Sequence, residues 1–388
     1  MRKWERRLRG SGSGVRSRRF VRALPAAMIV VGVVFDFYTP PAFTAVPMFA
    51  AAPLLAAPFF SLRGTIRIGV AAMLAIVGMR LYRGTLPGVV PFIELLTVLT
   101  VAVQACAINR VVQRSNERLA SARVIAETAM RAVLPTPADR IGGLHVAARY
   151  EAAQADEFVG GDLFSAVDTP YGVRLVLGDV RGKGLGAVAA VAVVIGAFRE
   201  AAEQEKSLEG VAQRLERALA RESTRGGSFD AFEEFVTAVL AEIPPGGQLV
   251  RIVNRGHPDP LLLHGDGAVE TLTPSEAALP LGMELGVRPD RADEWELPDG
   301  GTLLFYTDGL SEARNAEGVF YDPVERLRGR LFPEPEELLS ALSDDVRLYT
   351  GGKSTDDMAL LAVMRPAKGQ PGRRRTVRIV RRGTTLRD

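Results

Sequence analysis

The sequence predicts two dissimilar parts: an N-terminal α-helical membrane domain of four spans, then an α+β domain layered on antiparallel sheets. Three observations lead there. Apolar residues are 47% of the 388-residue chain and charged residues 24%, an ordinary average, yet the long apolar runs all lie before Arg110. Beyond Pro137, strand-like stretches come as neighbours joined by Gly/Pro turns such as Pro244-Pro245-Gly246-Gly247. Helical stretches lie among these strands, which is the grammar of an α+β domain.

A bilayer core needs about 20 apolar residues per helix. Ala23–Phe37, Ala42–Phe60, Ile68–Tyr82 and Val89–Ile108 are the candidate spans. Pro25, Pro47, Pro53, Pro58 and Pro91 fall in or beside them and are tolerated where neighbouring helices re-satisfy the backbone. The first run, behind a basic segment, also fits a cleaved signal peptide. Three further runs with no globular region between them favour a multi-span domain. Residues 1–22 carry nine Lys/Arg (Arg2, Lys3, Arg6, Arg7, Arg9, Arg16, Arg18, Arg19 and Arg22) against one acid, which holds them in the cytoplasm. Four spans (23–109) return the chain there, in agreement with Arg110, Arg114, Arg118 and Arg123, and Arg63 and Arg67 mark the inner loop. Arg80 and Arg83 fall in an outer loop and contradict the rule mildly. The expectation is a multi-pass cell-membrane protein whose globular domain is cytoplasmic. Asp36 and Glu94, the acids in or near the spans, read as interfacial.

Arg110–Leu134 has helical periodicity, ended by Pro135 and Pro137, and gives a linker helix over 110–135. Paired across two copies it would form a short coiled coil and a homodimer. The other reading is an amphipathic helix packed on its own domain. Over 136–366 the strand candidates are Leu144–Tyr150, Gly172–Gly178, Phe235–Glu242, Leu249–Asn254, Pro260–Leu263, Thr302–Thr307 and Met358–Met364. The helix candidates are Leu185–Gln204, Leu208–Ser223 and Glu334–Tyr349. Residues 367–388 read as a basic, disordered tail. Basic ends can touch nucleic acid, but beside apolar runs the lipid bilayer is the simpler partner, and no nucleic acid is expected. The single cysteine, Cys106, excludes an intrachain disulfide and a cysteine zinc cluster.

Aspartates mark the chemistry. Asp162 follows Gly160-Gly161. Asp179 closes a strand and opens Gly178-Asp179-Val180-Arg181-Gly182-Lys183-Gly184. Asp308 follows the apolar strand Leu303–Tyr306, and Asp356 and Asp357 open Met358–Met364. Strand ends and neighbouring strand starts meet at one rim of an antiparallel sheet, so these carboxylates can converge. Gathered carboxylates repel unless a cation neutralises them. Oxygen-only ligands favour magnesium or manganese over zinc. The glycines do not have P-loop or dinucleotide spacing, and His145, His257 and His264 lack the spacing of a helical metal pair. His257 reads as structural.

These phrases, with Ile125-Ala126-Glu127, Leu134-Pro135, Arg149-Tyr150, Gly256-His257-Pro258, Leu279-Pro280-Leu281-Gly282 and Thr307-Asp308-Gly309, occur in an order that resembles the type 2C (PPM-type) metal-dependent protein serine/threonine phosphatases. The likeness is to the bacterial branch of sporulation stage II phosphatases and sigma-factor regulators, over Ile125 to Met364. The resemblance implies an α-β-β-α sandwich of two mostly antiparallel sheets with two Mn2+ or Mg2+ ions at one end. Asp162, Asp179, Asp308 and Asp356 would be the catalytic carboxylates, joined as metal ligands by the Val180 carbonyl and Asp357. Asp179 would bridge the ions, whose shared hydroxide attacks phosphorus directly, without a phosphoenzyme. It further implies a phosphorylated cytoplasmic protein as substrate, with an anti-sigma-factor antagonist of a partner-switching system as one candidate.

Two positions depart from the family pattern. Ser165 stands where an aspartate is frequent, and Arg255 replaces a small residue before Gly256-His257. Arg149 and Arg181 are the candidates for holding substrate phosphate. Gly160-Gly161-Asp162-Leu163-Phe164 also resembles a diguanylate cyclase signature, but Leu163 occupies the position of an acid there. A catalytically silent membrane scaffold on the same fold is the non-enzymatic alternative.

Overall fold

A computed structural model describes residues 13–40, 43–86, 88–134, 137–152, 160–182, 184–225, 235–283, 290–352 and 356–367. Most of the basic N-terminal segment and all but the first residue of the basic tail lie outside these residues, as do Pro135 and Lys183. The chain forms two compact units, Met1–Ser121 and Ala122–Asp388.

The first unit is helical: α1 (Ser13–Tyr38), α2 (Val46–Ala56), α3 (Leu62–Tyr82) and the first part of α4 (Val89–Val133). Among the described residues of this unit, α3 and α4 are long and apolar enough to cross a membrane. α2 is not, because it fills only 11 residues of the expected Ala42–Phe60 run. Ala57 keeps helical angles, but Pro58 has no N–H to continue the ladder, and the regular helix stops there. Small residues allow close packing, since a side chain at Gly69 would press on Ala102. Ala72, Ile76 and Val98 form an apolar seam with Ala45 and Phe49. Polar groups are buried too. Arg80 makes a two-pronged ion pair with Glu94 at 2.6 and 2.8 Å, and Thr44 donates to Glu94. The Asn109 amide donates to the Ala57 and Phe60 carbonyls, which the ended helix α2 leaves open.

The second unit begins within α4 and continues through β1 (Arg140–Ile141), β2 (Leu144–Glu151), β3 (Asp162–Thr169), β4 (Gly172–Val180), α5 (Leu185–Gln204), α6 (Leu208–Arg225), β5 (Val236–Ile243), β6 (Leu249–Arg255), β7 (Leu261–Leu263), β8 (Val269–Thr271), β9 (Asp293–Glu296), β10 (Thr302–Tyr306), α7 (Asp308–Ser311), α8 (Pro323–Leu327), α9 (Pro335–Tyr349) and β11 (Met358–Met364). The strands make two antiparallel sheets, ordered β1-β2-β11-β10-β7-β8 and β3-β4-β5-β6-β9. Their facing sides bury Phe164, Leu175, Leu177, Val239, Phe305 and Leu361. α5 and α6 cover the outside of the second sheet and α9 the outside of the first. α5 also has the length and composition of a span, but Val191, Val194 and Phe198 are fully buried against that sheet. Ala126 and Met130, on the last turns of α4, are buried in the same layer. That end of the linker helix is therefore part of its own domain.

Candidate metal centre

Register brings the first two aspartates together. β3 starts where β4 ends, so Asp162 lies directly opposite Asp179. Phe164, Leu175 and Leu177 face the other sheet, and side chains alternate along a strand. Both carboxylates therefore point into the gap between the sheets. Ser165 is three residues on and faces α5. Its buried hydroxyl has no partner among the described groups, and its side of the sheet is not that of Asp162.

The other sheet supplies the rest. β10 runs out opposite Leu360 of β11, so Asp308 and Asp356 leave that sheet at the same end. Thr307 joins the two sheets. Its hydroxyl donates to Asp162 Oδ2 at 2.8 Å and accepts from the Ala359 N–H at 2.9 Å. Asp357 Oδ2 accepts from the Tyr150 hydroxyl at 2.7 Å and from the Gly160 N–H. The glycines are sterically required: a Cβ at Gly309 would collide with the Asp357 carbonyl, and one at Gly161 with the Val180 carbonyl.

Burial and mutual repulsion govern these carboxyls. Asp162 is buried, and desolvation, then the charge of Asp179, pushes its pKa well up. Asp179 rises to about 7, first by burial and then by Asp308, Asp356 and Asp357. Asp308 is raised by burial and by Asp356. Among the described residues no three His, Cys, Asp or Glu side chains form a closed cation cage. Asp308, Asp356 and Asp357 nevertheless all repel Asp179, and Asp162 hydrogen-bonds to it. Such a set fits hard divalent cations, whose charge would relieve the strain.

His257 braces this end. Its Nε2 meets the Tyr306 carbonyl at 3.1 Å and its Nδ1 the Thr237 hydroxyl at 3.0 Å. A carbonyl only accepts, so Nε2 carries the proton and Nδ1 accepts from Thr237. Thr237 is opposite Asp179, and Tyr306 is two residues before Asp308. Burial lowers the His257 pKa to about 3, so the ring stays neutral. The other histidines pair elsewhere, His145 with Glu334 and His264 with Glu270. Of the phosphate candidates, Arg149 donates to Ser340 and Arg181 lies over the Phe235 ring. The sequence singled out every aspartate gathered here. It assigned no role to Thr307, Tyr150 or Thr237, although the first two sit inside its quoted phrases.

The family model described as stage II sporulation protein E matches residues 169–366, just over half of the chain. Among solved structures, the SiaA-PP2C domain of Pseudomonas aeruginosa superposes with a TM-score of 0.53 at 19% identity, covering 64% of this chain and 98% of that one, and shows the fold. The RsbU and RsbW domains of Rv1364c from Mycobacterium tuberculosis match at 26% identity with a TM-score of 0.44, covering 58% of this chain. The match spans 62% of the length of that mycobacterial chain. The PP2C phosphatase domain with a regulatory fragment of SpoIIE from Bacillus subtilis matches at 18% identity and a TM-score of 0.46, covering 57% of this chain and 63% of that one.

Proposed function

The chain belongs to the stage II sporulation protein E family of type 2C phosphatases, and from that premise we propose that it is a membrane-anchored, Mn2+- or Mg2+-dependent phosphatase of phosphoserine and phosphothreonine in a cytoplasmic regulatory protein. The observation that carries the reading is the Asp162–Asp179 pair, a buried and a half-buried carboxyl in direct register with Asp308 and Asp356 within electrostatic reach. Asp162, Asp179, Asp308, Asp356 and the Val180 carbonyl would hold two ions, with Asp357 completing the set or bracing it through Tyr150 and Gly160. Bound there, the ions would acidify water and neutralise charge on the phosphoryl oxygens. The protein's own part is positional: Thr307 orients Asp162, and the two hydrogen bonds of the neutral His257 tie β5, the neighbour of the Asp179 strand, to the strand that leads into Asp308.

The apolar helices α3 and α4 support anchoring, and an even number of crossings would keep both termini cytoplasmic. A reporter fused after Asp388 should be active only in its cytoplasmic form. Val111, Val124 and Ile125 are exposed on α4 and suit pairing with a second copy. An anti-sigma-factor antagonist is the substrate class that family membership favours.

The test is hydrolysis of an aryl phosphate and of phosphoserine and phosphothreonine peptides, by full-length protein in lipid nanodiscs and by residues 110–366. Manganese-dependent turnover is expected. Its absence from both preparations would reject the reading. Comparing the phosphoproteome with and without the active protein would then identify the substrate.

A further inference from the structure

Resting on that reading, we propose that Arg255 is a positioning residue for the metal corner, acting through a clamp with Glu216 and Asp290 that fixes the loop beside Asp179.

All three guanidinium nitrogens of Arg255 are engaged. Nε donates to the Leu279 carbonyl at 2.6 Å, Nη1 to Asp290 at 2.8 Å and Nη2 to Glu216 at 2.7 Å. The other oxygen of Glu216 accepts the Gly282 N–H at 3.0 Å. One arginine at the end of β6 thus gathers a side chain of α6, the carboxylate of Asp290 and both ends of the segment 279–282. Among the described residues, these are the side-chain hydrogen bonds that reach this segment. Gly256 reinforces the fit independently. Its φ of +69° and a 3.0 Å approach of Pro280 to any Cβ there leave no room for a side chain.

The clamped segment touches the centre. Leu281 is buried and exchanges two backbone hydrogen bonds with Val236, at 2.8 and 2.9 Å. Val236 is opposite Val180, and Thr237 is opposite Asp179. The Arg181 N–H donates to the Phe235 carbonyl at 2.9 Å. The segment is therefore a third rung beside the ends of β5 and β4, which carry the Asp179 carboxyl and the Val180 carbonyl. The Asp290 side chain is only 4% exposed. Removing Arg255 would leave that carboxylate buried without its cation, which forces local rearrangement rather than simple loss of a contact. The rearrangement falls on the segment that aligns the metal corner.

The experiment counts bound Mn2+ by the loss of its free-ion electron paramagnetic resonance signal, with full-length protein in nanodiscs, alongside thermal melting without metal. Arg255→Ala should raise the Mn2+ concentration for half-occupancy about tenfold, and Arg255→Lys, which keeps the charge but not the fork, should raise it less. Glu216→Gln keeps an acceptor for Gly282 but loses the charge, and should shift it about threefold. Leu339→Ala, a cavity in the α9 layer, is the control for plain destabilisation and should melt earlier without that shift. Wild-type occupancy in a folded Arg255→Ala protein overturns the clamp. If Arg255→Ala does not fold, unchanged occupancy in Glu216→Gln overturns it. A wild type that binds no Mn2+ sinks instead the function from which the clamp was argued.

Discussion

Along the apolar stretches of the first unit, large apolar side chains turn outward and several polar ones are inside. Leu74, Phe92 and Val103 are more than 60% exposed, whereas Asn109, Thr65, Arg80 and Glu94 are buried. In the second unit the order is reversed: Leu240, Phe305 and Leu361 are fully buried, and most charged side chains ring the surface. The two arrangements suit different solvents. Water would reject a continuous apolar surface of that size, while hydrocarbon would tolerate it and force polar groups to pair internally. Buried polar groups in the second unit include the ion pair of Arg174 with Glu242 and the carboxyls that crowd one another between the sheets. There Asp179 raises the pKa of the buried Asp162, a crowding that a cation would relieve.

The sharpest break of this comparison is Asp179→Asn. If the aspartate cluster exists to hold ions, this change should lower turnover by about a thousandfold or more even at saturating Mn2+, with the fold retained. Near-normal turnover would show that the buried charges serve something else. The next largest effect compares the two solvents directly. Leu240→Asp puts a charge in the core between the second sheet and its covering helices and should unfold the second unit. Leu74→Asp should leave the second unit's circular dichroism intact but reduce membrane integration, at a cost of about 2.5–3.5 kcal/mol in a spanning helix. Normal integration of Leu74→Asp would mean that this face does not meet lipid.

A smaller effect comes from the protonation of the centre. The unfolded chain releases the Asp179 proton near the ordinary value of 3.8, and the metal-free folded protein near 7. Between these the folded state binds the extra proton. Its stability is greatest below the lower value and falls as pH rises through the upper one. Asp162 and Asp308 shift in the same direction. Metal-free protein should melt higher at pH 5 than at pH 8, by on the order of several degrees. Saturating Mn2+ should remove or reverse the difference. A metal-free protein equally stable at both values would contradict the buried-charge account.

How far the sequence reaches differs between the units in the same way. Long helices and central strands were legible because burial is periodic: α5 runs from Leu185 to Gln204 as its apolar pattern says, and β2, β4, β5, β6 and β11 lie where alternation or apolar runs put them. β3 escaped, because Gly160-Gly161 hides its start and Ser165 and Asp168 break its apolar run. β8 and β9 are short edge strands, with too few buried side chains to leave a pattern. The aspartates stood out by their glycine neighbours and strand-end positions. Thr307, Thr237 and His257 act across two sheets, and no local pattern records a hydrogen bond between residues such as Thr307 and Asp162, 145 positions apart. The short α2 reflects the same limit. Composition suggested a span, but Pro58 and the capture of the Ala57 and Phe60 carbonyls by Asn109 decide where the helix stops.

The smallest effect concerns the element shared by both units. α4 is 45 residues long, about 68 Å at 1.5 Å per residue, with no glycine or proline after Pro91. Asn109 ties it to the first unit, and Ala126 and Met130 are buried in the layer that also contains Val180 and the start of α5. A helix fixed at both ends can transmit a rotation, although spatial continuity alone is no proof of coupling. Inserting one to four alanines near Arg118 in the full-length, membrane-embedded protein turns one anchor against the other by about 100° per residue. If α4 transmits orientation, activity should change a few-fold with inserted phase. It should then move back toward wild type with four residues, which leave a net turn of only about 40°. Because Ala126 and Met130 stay seated in every variant, the catalytic unit itself should melt normally throughout. A steady decline with length would point to a tether that matters only by its reach, and unchanged activity in all four would reduce the first unit to an anchor.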